Sequence, residues 1–310
     1  MSIFLKKEVF FVKFPIFFPL IYGIILFSFP SFETQLIFIT ILLLAETHFG
    51  ATWPFFINKV NYDYIYEKKI FLILFPIILI IFCIIGFFYF QNLFLLIFFA
   101  ANVYHVTRQS YGVMNLYTKN LIEKKNYANL IYIFNFIFFV IAFFRFYIPL
   151  ITPEKLLILN IFIISILFLV FILQVRKFGF SENFLTMIAG VLIFFPVCFV
   201  SNPVHAIIMG VTMHYSQYLY LTSKVIKKRS EISTSENKNY FIRFIAIIIF
   251  YSLVMSILSI FGKNDSEFLS SLIIIPITGQ MLHFYLDSFI WKFSEEHNRQ
   301  NTLKFILEKI

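Results

Sequence analysis

The chain is written as apolar runs of bilayer length, separated by short polar punctuation. Ten runs can be marked, at about 10–29, 34–56, 70–90, 92–114, 128–148, 155–175, 184–201, 203–222, 241–261 and 267–291. Each is near the roughly 20 residues a helix needs to cross hydrocarbon. The pattern predicts an all-α protein, a polytopic transmembrane bundle of about ten helices. Only Ser201-Asn202-Pro203 separates the seventh run from the eighth, and Pro203 suits the first turn of a helix, where its missing N–H is no loss. Two polar stretches remain, a loop over 223–240 with SEISTSENKN at its centre and a tail over 293–310. No internal repeat or second domain interrupts the pattern, so 1–310 reads as a single integral membrane domain.

Composition makes the membrane reading firm. The chain is 60% hydrophobic and 13% charged, with 47 phenylalanines, and a soluble domain of 310 residues has no interior large enough to hide that surface. In a soluble protein the net charge of +9 would suggest nucleic acid; here it reads as topology. Lys6, Lys7, Lys59, Lys68, Lys69, Lys119, Lys124, Lys125, Arg176 and Lys177 fall in alternate gaps, as do the basic residues from Lys224 to Arg243 and those of the tail, ending at Lys309. The opposite gaps hold only Arg145, Lys155 and Lys263. This alternation puts both termini, the 223–240 loop and the tail in the cytoplasm of a multi-pass inner (plasma) membrane protein. Its partner is the lipid bilayer, with no nucleic acid. The opening MSIFLKKEVFFVKF leads into a run longer than a signal sequence and without a small-residue cleavage site, so it reads as the first membrane helix. Cys83 and Cys198 sit inside apolar runs and read as small buried hydrophobes.

The histidines supply the chemistry. His297 lies in the polar tail and reads as solvated, and His205, beside Pro203, reads as structural. His48, His105, His214 and His283 differ: each sits late in a run that crosses from outside to inside, so all four share a depth in the cytoplasmic half. Polar neighbours extend each stripe one helical turn. His105 has Asn102 and Gln109, His214 has Gln217 and Tyr218, and His283 has Gln280 and Asp287. Glu46 falls on another side of its helix, able to contribute from a neighbouring face or to pair with Arg108. Taken singly, a membrane histidine is more often an interhelical hydrogen-bonding group. Four at one depth, with a carboxylate one turn from the last, point to a shared site. His48, His105, His214 and His283 are the candidate metal ligands; Asp287, Gln109 and Gln217 are the candidate catalytic groups. Asp287 either ligates or orients His283.

Neutral imidazoles with a carboxylate suit iron first and zinc second, with haem on paired histidines a further option. The leading expectation is a metal-dependent oxygenase or hydroxylase acting on a hydrophobic small-molecule substrate that enters from the bilayer. The alternatives are a membrane transferase with a histidine general base, a proton-coupled transporter, or a haem-binding membrane protein. Nine glycines and no visible repeat speak against the transporter.

His48-Phe49-Gly50, and His283 followed by Asp287 in the last run, resemble the Brp/Blh family of membrane β-carotene oxygenases. The resemblance implies a membrane-embedded, iron-dependent enzyme whose metal is held by histidines from several helices. A ligand role carries over to His48 and His283 only. The chain has no Pro-His-Gly…Asp-His signature near its start, and its spacing from histidine to aspartate differs from that family's.

The topology is directly testable: a reporter fused after Lys238 should read as cytoplasmic. An extracellular reading would overturn the orientation and, with it, the common depth of the four histidines.

Overall fold

A computed structural model describes residues 7–232, 239–262 and 266–307 of the chain. The centre of the 223–240 loop, with Lys238, and Lys6, Lys263 and Lys309 lie outside the described residues. Among the described residues the fold is helical throughout, with no strand. Six helices among the described residues are long and apolar enough to cross a membrane: Pro30–Phe56, Ile70–Tyr89, Leu121–Tyr147, Pro153–Phe178, Tyr240–Phe261 and Phe268–Ile290. Phe17–Ser28 and Glu182–Leu192 are apolar but shorter. Gln91–Tyr117 and Pro203–Ile232 are long, and carry the polar stripes around His105 and His214.

The chain divides into two compact units, Met1–Ile37 with Asn102–Gln217, and Phe38–Ala101 with Tyr218–Ile310. All three internal boundaries fall inside helices, Glu33–Thr40, Gln91–Tyr117 and Pro203–Ile232.

In the first unit, local chemistry sets the helix ends. The Asn120 side chain accepts from the backbone N–H groups of Ile122 and Glu123, Ser181 Oγ accepts from Phe184, and Thr152 precedes Pro153 at a helix start. Each supplies an oxygen to amides with no partner inside the helix. Gly179, at φ 80°, ends the Pro153–Phe178 helix in a conformation that favours glycine.

Two of the expected spans are broken in this unit. The 10–29 run is a short turn over Val9–Lys13, then Phe17–Ser28, with Pro15 between them. The 184–201 run stops at Leu192 and resumes as a single tight turn, Phe195–Cys198, containing Pro196. Proline removes an N–H, and each break leaves carbonyls that hydrocarbon cannot satisfy. Side chains satisfy them instead. Gln217 Nε2 donates to Val12 O at 2.7 Å and Ser216 Oγ to Phe11 O at 2.9 Å. Asn135, Arg145 and Asn160 donate to the carbonyls of Gly190, Val197 and Cys198 at 3.0, 2.5 and 2.7 Å. Arg145, expected as an outer-loop charge, is thus a half-buried donor at the end of its helix. Lys13 is likewise engaged, paired with Glu182 at 2.5 Å and seated over the Tyr117 ring.

The second unit packs Cys83, Phe94, Ile277 and Met281 into one apolar core. Its tail, over residues 293–307, is folded back rather than trailing. The Glu295 carboxylate accepts from Tyr64 at 2.8 Å and pairs with Lys68 and Lys292. Burial pushes its pKa up, but the hydrogen bonds from Lys68, Lys292 and Tyr64 outweigh that and bring it to about 2. His297, expected to be solvated, stacks on Tyr64 at 4.5 Å with its Nε2 2.8 Å from Asn61 Oδ1. Arg229 donates twice to Asn301 O, and Phe305 and Ile306 are buried. The physical reason is that tail and helix ends share unpaired groups that bond one another once water is displaced.

Gly210 fixes how the Pro203–Ile232 helix meets the broken one. A Cβ at this position would lie 1.7 Å from Ile193 O, a backbone atom that cannot swing aside. Small residues let membrane helices approach this closely. Gly210→Ala should therefore cost at least the roughly 1–3 kcal/mol of an overpacked site, read as a lower melting temperature in detergent. Unchanged melting would show that the contact is not maintained.

Candidate metal centre

His48 lies on Pro30–Phe56 and His283 on Phe268–Ile290. Both are fully buried, and their ring centroids are 4.4 Å apart. Tyr218 closes a triangle, with its ring 4.3 Å from His48 and 5.3 Å from His283. Phe49 packs against His283 at 5.1 Å. Aromatic walls on this scale keep water away from the imidazoles.

A hydrogen-bonded chain sets the His283 ring. Thr52 Oγ1 lies 2.6 Å from His283 Nδ1 and 2.8 Å from the Tyr218 hydroxyl, which donates to Asp287 Oδ1 at 2.9 Å. A carboxylate only accepts, so the donors run toward it. Tyr218 gives its proton to Asp287, Thr52 gives its own to Tyr218, and His283 Nδ1–H gives to Thr52. That order leaves the lone pair on His283 Nε2. Asp287 Oδ2 lies 3.6 Å from that nitrogen, beyond hydrogen-bonding range. A ring held in one tautomer by an outer partner is how proteins prepare a histidine for a metal.

His105 and His214 make the other pair, both buried, with centroids 5.3 Å apart and rings crossed at 89°. The four expected ligands form one group: one ligand atom from each of His48, His105, His214 and His283 lies within 4.8 Å of the other three. Nitrogens bound to one ion at about 2.1 Å are at most about 4.2 Å apart. A buried four-histidine group that could hold a metal is present.

The other expected site residues divide. Asp287 is buried and holds the hydrogen-bonded chain, but lies outside the four-imidazole group. Gln217 is buried one turn from His214, with its amide donating to Val12 O. Gln109 is half-buried, one turn from His105. Glu46 Oε1 accepts from Gln280 at 3.3 Å, while Arg108 donates to Tyr104 at 3.1 Å. His205 is a separate feature, its Nδ1 2.6 Å from the Tyr22 hydroxyl and its Nε2 3.7 Å from Glu33. Thr52 is the residue the pattern could have shown: it lies at i+4 from His48, the spacing that also marks Gln109, Tyr218 and Asp287. Cys83 and Cys198 are buried free thiols, as expected.

Compared with protein-family models, curated proteins and solved structures, the chain matches none.

Thr52→Val keeps the shape but leaves Nδ1 of His283 and the Tyr218 oxygen without this partner, which should cost about 1–3 kcal/mol. Thr52→Ser should restore most of it. Thermal unfolding in detergent compares the two, and equal stability of Val and Ser variants would remove the hydroxyl from the network.

Proposed function

We propose that the protein is an integral membrane metalloenzyme, an iron-dependent oxygenase or hydroxylase of a lipid-soluble substrate. The observation that carries the reading is the four-imidazole group, buried in a helical protein with membrane-length helices. Imidazole suits iron, copper, nickel and zinc alike; iron is chosen on the resemblance noted from the sequence. A porphyrin plane does not fit among ligand atoms this close, which disfavours haem. When bound, such an ion supplies an open position for dioxygen.

The chain's own groups have separate tasks. His48, His105, His214 and His283 donate lone pairs. Thr52 and Tyr218 keep His283 in the tautomer that can do so, and Asp287 anchors that chain as the final acceptor. Orienting fits Asp287 better than ligation, because Oδ1 is committed to Tyr218. Phe49 and the Tyr218 ring exclude water from the rings.

Elemental analysis of gently purified protein should find near-stoichiometric iron. His105→Ala or His214→Ala should abolish it without preventing membrane insertion, and full metal in both variants would sink the reading. His283→Ala should lose the metal, while Asp287→Asn, which keeps an acceptor oxygen, should weaken binding only about 10- to 100-fold. Equal losses would instead make Asp287 a ligand.

A further inference from the structure

The second unit holds another set of buried polar atoms, outside the hydrogen-bonded chain at His283. Glu46 is 1% exposed. Its Oε1 takes one long bond from Gln280, and its Oε2 has no hydrogen-bond partner. The Tyr251 hydroxyl and the Trp53 indole N–H are also buried without a partner. The phenol lies within electrostatic reach of Glu46, and faces the indole without a well-formed bond to it. Buried groups left this way in hydrocarbon cost about 1–3 kcal/mol each, and natural interiors keep few of them.

The backbone goes to some length to place that phenol. A Cβ on Gly50 would meet the Tyr251 ring at 2.8 Å, and one on Gly279 would meet its hydroxyl oxygen at 2.6 Å. Glycines on two helices thus admit one tyrosine from a third. Such an approach serves no packing need that a phenylalanine would not meet equally well. The hydroxyl is there to be used.

The set of atoms defines its ligand. An anion is excluded by the Glu46 carboxyl, and a cation is disfavoured by the donors of Gln280, Tyr251 and Trp53. What fits is a neutral group that donates once and accepts twice. A hydroxyl does both, giving its proton to Glu46 Oε2 and receiving from Tyr251 and Trp53. It needs only the room of one water molecule. Tyr251 and Trp53 are half-buried, so the cluster lies just beneath a surface where Phe250 and Val254 are exposed.

We propose that Glu46, Trp53 and Tyr251 hold the hydroxyl of a membrane-soluble alcohol. Glu46 is two residues from His48, and Gln280 is three from His283. Gln280, which bonds Glu46, is one helical turn from His283, and this places the anchoring cluster beside the His283 face of that helix. As a substrate class this rests on the metalloenzyme reading; as a binding site it does not.

The two tryptophans, Trp53 and Trp291, make the test direct. In a Trp291→Phe background Trp53 reports alone. Titration with 1-hexadecanol should change its emission saturably, and hexadecane should not. Glu46→Leu and Tyr251→Phe should each raise the half-saturation point about tenfold, and Glu46→Gln, which keeps an acceptor, should largely restore it. If Trp291→Phe fails to fold, radiolabelled hexadecanol binding to the unmodified chain and to Glu46→Leu gives the same comparison. Equal responses to alcohol and alkane, or no saturation, would mean that the cluster holds water only and would overturn the proposal. Repeating the titration after dialysis against a chelator should leave it unchanged, so a protein without metal can still pass or fail.

Discussion

Hydrocarbon offers no hydrogen bonds, and the internal arrangement of this protein follows from that one fact. Each imidazole, carbonyl or carboxyl kept at depth must find its partner in the protein. The histidines therefore come with hydroxyls and a carboxylate rather than alone. His283 illustrates the economy of it. A threonine one turn from His48 takes its Nδ1, a tyrosine bridges onward, and Asp287 terminates the chain as a pure acceptor. Removing one member exposes the others to the full cost of desolvation.

The same constraint explains the two broken helices of the first unit. Proline opens each one, and the freed carbonyls would be prohibitive if they faced lipid. Gln217, Ser216, Asn135, Arg145 and Asn160 are polar residues whose purpose is not evident from their own helices. Each makes sense only beside a break elsewhere in the chain.

That is also where legibility ends. Helical class, membrane-length segments and the four histidines could be read from the chain, because periodicity and hydropathy are local properties. The breaks at Pro15 and Pro196 could not, since a window of average hydropathy passes smoothly over a residue whose partners lie on other helices. Gln217 looked like a site residue because it shares a stripe with His214, yet spacing along one helix says nothing of what stands opposite. Thr52 is inconspicuous in the sequence for a related reason. A hydroxyl among aromatic residues carries little weight until its distance to an imidazole is known. His297 departs from its expectation through composition: in a polar, basic stretch a histidine reads as solvated, but Tyr64 and Asn61 offer this one a surface to bond.

The Gly210 contact sets more than a packing distance. Main chain touches main chain there, so the rotation of the Pro203–Ile232 helix is pinned by atoms that no substitution of neighbouring side chains can move. His214 lies one turn further along the same face. A slip of a single residue would turn that face by about 100° and carry the imidazole away from its fellows. The angular position of a histidine is thereby set by a glycine one turn earlier on its own helix.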